Sequence, residues 1–360
     1  MKIMVTGGAG FIGSAVIRQL INVHDFEVIN LDKLTYAANL DNLKSISNHS
    51  SYYFEKIDIC DSKKVKDALR KYSPNVILNL AAESHVDRSI DTPAKFVETN
   101  IIGTYNLLEA SLEHFQSINS QEQNKFRFHH VSTDEVFGSL NFSDSAFSLS
   151  SPYKPRSPYS ASKAASDHLV MAWHHTFGLP IILSNSSNNY GPFQYPEKLI
   201  PLIITRALEG APLPVYGRGE NIRDWLYIDD HTDALIKVIT HGQIGETYLI
   251  GGDSELSNIY VVETICKFLD EALPDSKYIP HKNLISFVDD RPGHDLRYAL
   301  DITKTKQKLG WTPKYSFEVG LKKTIYWYIN NKEWWMPLFK KFAHNQQLRS
   351  DTSKYKKVGY

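Results

Sequence analysis

Cysteine is scarce. Only Cys60 and Cys266 occur in 360 residues. That excludes a disulfide scaffold, and neither stands in a metal-ligand spacing, so no metal is expected. A surplus of one charge is also missing, since 40 Lys and Arg face 40 Asp and Glu. Zero net charge argues against a general nucleic-acid or membrane-surface binder. No apolar run approaches the roughly 20 residues a bilayer-spanning helix needs. None precedes the glycines of "MKIMVTGGAG", so no signal peptide is expected and a reducing cytosol is the simplest compartment. Internal repeats and low-complexity segments are absent too. What is present is 42% hydrophobic and 22% charged residue content. That composition describes an ordinary globular protein, long enough for two domains.

The first half alternates short apolar runs with helical patterns. "KIMVTGG", "FEVINLD", "YYFEKIDI", "NVILNLAA", "FRFHHVST" and "LPIILSN" read as strands. "FIGSAVIRQLI", "SKKVKDALRKY" and "AKFVETNIIGTYNLLEASLEHF" read as helices between them. Alternating βα units predict an α/β fold with a doubly wound parallel sheet. "LNFSDSAFSLSSPYKPRSP" is rich in Ser and Pro and reads as a long loop. Past Asn185 the order becomes irregular, with short strands such as "PLPVYG", "DWLYI" and "ETYLIGG". The expected division is 1–186 (completed by 224–250), a smaller C-terminal α/β domain over 187–330, and a tail, 331–360. The tail is expected to be partly disordered or a surface helix.

"VTGGAGFIG" follows the first strand and opens the first helix, with Gly8-x-Gly10-x-x-Gly13 and Gly7 beside it. Glycines there permit a tight turn and let backbone N–H groups approach a pyrophosphate at a helix N-terminus. Asp32 ends the second strand run, 19 residues after Gly13. A carboxylate at that distance accepts from a ribose 2′-OH and repels a 2′-phosphate. The reading is a dinucleotide site, with NAD favoured over NADP.

Two further constellations carry chemistry. "HVSTDEVFG" sets Asp134 and Glu135 side by side after Thr133. Adjacent side chains of a regular strand point to opposite faces, so shared work by both acids requires the chain to leave strand geometry near Thr133. Gly138 is consistent with such a turn. Close like charges also leave one acid inclined to hold its proton. Read alone, the pair equally fits a cap on the following segment. "SPYSASKAASDH" holds Tyr159 and Lys163 four residues apart, on one helix face. An ammonium there is expected to lower the phenol pKa toward a useful range. "IDDH" at Asp229, Asp230 and His231 is expected to cap the helix that follows. The pairs His129–His130 and His174–His175 show no metal-ligand pattern.

Together "GGAGFIG", "NLAAESHVDRS" and "YSASK" resemble the extended short-chain dehydrogenase/reductase superfamily. "DKLTYAANLDNL", "STDEVFG", "YSASKAASDH", "NNYGPFQYPEKLIP", "NIRDWLYIDDH" and "RPGHDLRYALD" narrow this to a resemblance to the dTDP-glucose 4,6-dehydratase family, in unbroken order from residue 1 to about 330. Ala38-Asn39 stands where that family has Gly-Asn. The resemblance implies a Rossmann-like NAD-binding domain and a smaller nucleotide-sugar-binding domain. It also implies a lyase reaction: oxidation at sugar C4, loss of water across C5 and C6, and hydride return to C6. Such chemistry needs one base and one acid held close, with their pKa values pushed apart. By resemblance Glu135 is the base and Asp134 the acid. Thr133 binds the C4 oxygen beside Tyr159, and Lys163 holds Tyr159 and the nicotinamide ribose.

Carried over position by position, Gly7, Gly10, Phe11, Ile12 and Gly13 line the cofactor's pyrophosphate. Asp32, Lys33, Leu34 and Thr35 hold the adenosine ribose, and Asp58 and Ile59 reach the adenine. Leu80, Ala81, Ala82, Ser84, Thr99 and Asn189 flank the nicotinamide half. For the nucleotide sugar, Ser84, Thr133, Asn188, Lys198, Leu199, Pro214, Val215, Tyr216, Arg223, Asn258, Asp290, Arg291, Pro292, Gly293 and His294 match. Arg223 and Arg291 have forked donors suited to a diphosphate. Thymine and uracil, one methyl group apart, both fit these residues. A homodimer is implied, through the apolar stretch around 95–115 and the small residues Ala161, Ala164, Ala165 and Ala172. Two other readings stay open. One is a related dehydratase or epimerase acting on another nucleotide sugar such as UDP-glucose. The other is a non-catalytic dinucleotide-binding protein.

Overall fold

The apolar runs of the first half all become strands: β1 (Lys2–Thr6), β2 (Glu27–Leu31), β3 (Tyr52–Glu55), β4 (Val76–Asn79), β5 (Arg127–Thr133) and β6 (Ile181–Ser186). The later ones are β7 (Asn188–Tyr190), β8 (Leu213–Tyr216), β9 (Ile222–Tyr227), β10 (Thr247–Ile250), β11 (Glu255–Ser257) and β12 (Ile285–Val288). This computed structural model describes residues 1–352, with side chains through Phe342. Residues 353–360 of the tail lie outside the described residues.

The main sheet has seven strands in the order β10-β6-β5-β4-β1-β2-β3, every pair parallel. The direction of progression reverses between β1 and β4. That is the topological switch point of a Rossmann-type sheet, where ligands sit beyond the strand C-termini. The runs are apolar without alternation because both faces are covered. Ile3, Val5, Val76 and Leu78 enter one core, while Met4, Ile29, Ile77 and Phe128 enter another. Successive side chains leave a strand on opposite sides, so these are the two faces of one sheet.

The chain divides into two compact units. The first comprises 1–189, 220–257 and 290–317, and contains the main sheet. The long Ser- and Pro-rich loop belongs to it and is anchored rather than loose. Leu140 bridges Arg297, and Phe147 bridges Leu300. The second unit comprises 190–219, 258–289 and the described residues from 318 onward. Its parallel pair β8–β12 lies with the helices Leu199–Leu208, Asn258–Ala272 and Phe317–Asn330. The tail is a helix over Lys332–Thr352, one of the two forms expected, and its first turns are exposed on one side and anchored on the other. Trp335 is fully buried there, and its indole N–H donates to Tyr328 O at 2.8 Å. No described helix is long and apolar enough to cross a membrane.

Candidate active site

Four strand ends, those of β1, β2, β4 and β5, deliver the first unit's chemistry to the C-terminal end of the sheet. After β1 the chain turns through Gly7, at φ +69°, into the helix Phe11–Asn22. A Cβ on Gly13 would stand 2.3 Å from Gly7 O, so only glycine lets helix and turn meet. A Cβ on Gly10 would meet only Gly7 O, at 3.2 Å, leaving that side of the turn open. Phe11 and Ile12 are half-buried in the helix's first turn. Asp32 is buried at the end of β2 and ties the loop together. It accepts from Ala9 N at 3.0 Å and from Leu34 N at 2.7 Å, and burial raises its pKa. Lys33 reaches Asp58 at 3.4 Å and donates to Thr99 Oγ1 at 3.2 Å. Lys33, Leu34, Thr35 and Asp58 are half-buried, and Ile59 is buried.

Leu80, Ala81, Ala82 and Ser84 follow β4, with Ala82 and Ser84 exposed. Opposite them the helix expected near 95–115 is not continuous. It winds as a π-helix over Val97–Gly103 before resuming over Thr104–Ser117. Such wide turns recur at functional sites. This one buries Thr99 and Asn100, and Asn100 clamps Glu83 from both sides, Nδ2 to Glu83 O at 3.0 Å and Oδ1 from Glu83 N at 2.9 Å.

Beyond β5 the strand stops at Thr133 and a 3-10 turn runs over Asp134–Phe137. Thr133 caps this turn, its hydroxyl accepting from Glu135 N at 3.3 Å. The departure from strand geometry is what allows neighbouring acids to share one site. Gly138 closes the turn at φ +91°. Asp134 is 2% exposed, and its Oδ2 has no partner among the described residues. Burial, then the Glu135 charge, hold its carboxyl well above the usual carboxylate range. Burial and a neighbouring like charge both favour the protonated form of a carboxyl so placed.

Tyr159 and Lys163 lie on the helix Pro158–Phe177. A Ser157–Ser160 capping box and Pro158 at its first position fix where that helix starts. The expected lowering of the Tyr159 pKa is not found. Burial, and after it the Glu135 charge, raise it, while a hydrogen bond with Thr133 acts the other way. Lys163 points elsewhere, donating to Val131 O at 2.9 Å, and burial brings its pKa down to about 8. The helical spacing put both residues on one face, but burial outweighs the ammonium's effect.

Arg223 is buried on β9, stacked 4.3 Å from the centroid of Tyr298 and donating to Asp295 O at 2.9 Å. Tyr298 and Asp224 were not expected here. Burial, then the Glu135 charge, raise the Tyr298 pKa, and Asp224 adds to the effect of burial and Glu135 on Asp134, so both lie within electrostatic reach of the acid pair. Their signal was adjacency to "IRDW" and "LRYALD", which carries little weight without the fold. Along 290–294, His294 Nδ1 lies 2.6 Å from Asp290, and Arg291 pairs with Asp87 at 3.4 Å. Pro292 and Gly293 are exposed, with Gly293 at φ +66°. Asn188 Oδ1 is buried without a partner among the described residues, and Asn189 Nδ2 donates to Ser187 O at 2.9 Å.

The second unit carries the other expected residues. Lys198 and Leu199 begin the helix Leu199–Leu208, and Pro214, Val215 and Tyr216 form most of β8. Asn258 begins the helix Asn258–Ala272. The "IDDH" expectation is corrected. Tyr227 is that helix's cap residue, and Asp230 instead accepts from Lys314 N at 2.9 Å and Tyr315 N at 3.0 Å. Among the described residues, no group of three or more His, Cys, Asp or Glu could hold a metal ion.

Comparison with known proteins agrees with this geometry. The family model for GDP-mannose 4,6 dehydratase matches residues 4–324. The dTDP-glucose 4,6-dehydratase of Escherichia coli is 56% identical over 345 residues, 93% of this chain and 95% of that one. The enzyme of that name from Neisseria meningitidis is 54% identical over 336 residues, again 93% and 95%. A Streptomyces venezuelae dTDP-glucose 4,6-dehydratase, crystallised with NAD, superposes with a TM-score of 0.85 at 43% identity, covering 94% of this chain and 100% of that one. The chain belongs to the dTDP-glucose 4,6-dehydratases, within the family that the GDP-mannose 4,6 dehydratase model describes.

Proposed function

We propose that the chain catalyses the NAD-dependent dehydration of dTDP-glucose to dTDP-4-keto-6-deoxyglucose, a lyase reaction. The carrying observation is the Asp134–Glu135 turn, with its buried acid carrying a raised pKa beside Tyr159. A 4-epimerase works at C4 alone and has no use for that pair. A non-catalytic dinucleotide-binding protein would have no use for the pair, Tyr159 and Lys163 together.

The glycine turn fits NAD. Its Gly10 side is open, and Asp32 stands where a ribose hydroxyl would be received. NAD, when bound, supplies the acceptor for the C4 hydrogen and returns it at C6. The chain's own residues move the protons. Tyr159 takes the proton of the C4 hydroxyl, and Thr133 holds that oxygen. The new carbonyl makes C5–H acidic, and Glu135 removes that proton and gives one back to C5 as C6 is reduced. Asp134 gives its proton to the C6 hydroxyl, which leaves as water. Gly7, Gly10, Phe11, Ile12, Gly13, Asp32, Lys33, Leu34, Thr35, Asp58, Ile59, Leu80, Ala81, Ala82, Ser84, Thr99, Lys163 and Asn189 make up the cofactor side. Arg223 and Arg291 neutralise the substrate diphosphate. The fold serves as a cytosolic homodimer.

Purified protein given dTDP-glucose is expected to form a keto sugar that absorbs in alkali, and NAD is expected to be released on denaturation. Faster turnover of UDP-glucose, or none of either sugar, would overturn the reading.

A further inference from the structure

Behind the Tyr159–Lys163 face lies a buried polar network that the reaction above does not use. Its centre is Asp167, 2% exposed, one helical turn beyond Lys163. Three donors converge on Asp167 Oδ2: Ser132 Oγ at 2.8 Å, Tyr153 OH at 3.0 Å and Asn185 Nδ2 at 3.2 Å. Its other oxygen lies 3.3 Å from His130 Nε2.

The surrounding bonds fix the state of His130. Thr6 donates to Asn79 Oδ1 at 2.7 Å, so Asn79 presents its Nδ2 to His130 Nδ1 at 3.0 Å. Nδ1 is then the acceptor, and the ring proton sits on Nε2, 3.2 Å from Ser166 Oγ, with Asp167 Oδ1 at 3.3 Å. Burial keeps the ring neutral, with its pKa down to about 4. Lys163 Nζ is 3.4 Å from that same Nε2. Two donors cannot bond each other, so His130 gives the ammonium nothing to bind. What remains for Lys163 is the neutral Val131 carbonyl and the Asp167 charge. The other titratable groups of this region are Tyr153 from the long loop, on Asp167, and Tyr159 on the Lys163 helix, which the Glu135 and Asp134 charges reach. Burying an ammonium without an opposite charge is costly and drives it to lose its proton.

We propose that Asp167 is the positioning residue of this active site: its carboxylate is the counter-charge that keeps Lys163 protonated and docked on Val131, one turn below Tyr159. The proposal rests on the reading that Lys163 serves Tyr159 and the cofactor. It also explains why three neutral donors surround Asp167. They solvate its charge without cancelling it, so its field still reaches the ammonium.

The test is the pH dependence of the first half-reaction, read as reduced-nicotinamide absorbance after mixing with dTDP-glucose, for wild type and Asp167→Asn. The amide keeps the shape and one acceptor but removes the charge. Its alkaline limb is expected to move down by about one pH unit or more, the usual scale of a close opposite charge. KM should change little, and Asp167→Glu should recover part of the shift. Tyr153→Phe and Ser132→Ala remove donors but keep the charge, so their limbs should stay in place. An unmoved limb in Asp167→Asn, or equal shifts in the donor variants, would overturn the proposal in favour of a merely structural network. Thermal unfolding of Lys163→Met, Asp167→Asn and the double variant gives a readout independent of turnover. The double variant should lose less than the sum of the singles, and strict additivity would sink the pairing. If Asp167→Asn does not fold, recovery of folding in the double variant supports the proposal and its absence refutes it. If wild type reduces no nicotinamide, the functional reading fails and the unfolding cycle alone decides the pairing.

Discussion

The Thr133 hydroxyl donates to Asp134 Oδ1 at 3.2 Å, at the residue where β5 ends. Along a strand these two side chains would diverge. The turn brings them together, and the same hydroxyl accepts from Glu135 N. One threonine thus organises both acids.

Gly138 is the residue that permits this turn. It sits at φ +91° and ψ −146°, and a Cβ there would lie 2.5 Å from Lys154 O. That carbonyl belongs to the strap whose Lys154 N bonds Val136 O at 2.9 Å, so it cannot easily retreat. Gly138→Ala should cost about 1–3 kcal/mol of stability and displace Asp134 and Glu135. Denaturant unfolding and turnover check this: stability and rate should fall together while bound NAD is retained. Wild-type turnover in Gly138→Ala would mean the turn geometry is not needed.

Part of the stretch expected to form a dimer face turns inward. Phe96, Leu107 and Leu108 are fully buried within the chain. Val97, Ile102, Tyr105 and Phe177 are 49%, 48%, 41% and 50% exposed, too large an apolar group for a solvated helix face. A homodimer through this face predicts a two-chain mass by sedimentation at micromolar concentration. Ile102→Lys with Tyr105→Glu should shift the mass to one chain without loss of helix content. A monomeric wild type would end the idea.

The parallel sheet was legible because apolar runs covered on both faces leave an unmistakable pattern in sequence. The glycine loop, the acid pair and the Tyr–Lys spacing were legible because each is local. What local reading missed is long-range. Asp167 lies at the same helical interval from Lys163 as Lys163 from Tyr159, so its face could be guessed. Its partners Ser132, Tyr153 and Asn185 come from a strand, a loop and another strand. The raised Tyr159 pKa was unreadable for the same reason, because burial depends on everything packed above it.

Three of the buried histidines, His129, His130 and His231, weaken the fold in acid. Burial holds His129 and His231 down to about 3 and His130 to about 4. All three folded values lie below the unfolded value near 6.5, so the unfolded chain binds more protons between them. Their contribution to stability is therefore complete above pH ~6.5 and falls as pH drops toward 3, by up to about 1.4 kcal/mol per pH unit for each ring. Neither ring nitrogen of His231 has a partner among the described residues. His231→Leu should keep the fold at neutral pH and flatten the acid loss by about one histidine's share. Urea unfolding between pH 4 and 7 measures both slopes, and identical slopes would show that His231 is not protonated on unfolding.

On the proposed mechanism, Asp134 and Glu135 carry the dehydration. Burial, then the Glu135 charge, raise the Asp134 pKa, which favours the proton-bearing form that an acid needs. Asp134→Asn cannot release a proton to the leaving C6 hydroxyl, yet it leaves Tyr159 in place. It should still oxidise C4 and accumulate reduced nicotinamide, with water loss slowed by about a hundredfold or more. Glu135→Gln should stall at the same stage, but without exchange of the C5 hydrogen for solvent deuterium, because no base remains to remove it. Tyr159→Phe should block earlier and form little reduced nicotinamide, because the C4 hydroxyl keeps its proton. Rapid absorbance at the reduced-nicotinamide band, with deuterium incorporation followed in parallel, separates the three. Near-normal turnover in both acid variants would make the pair structural and leave the dehydration without its base and acid.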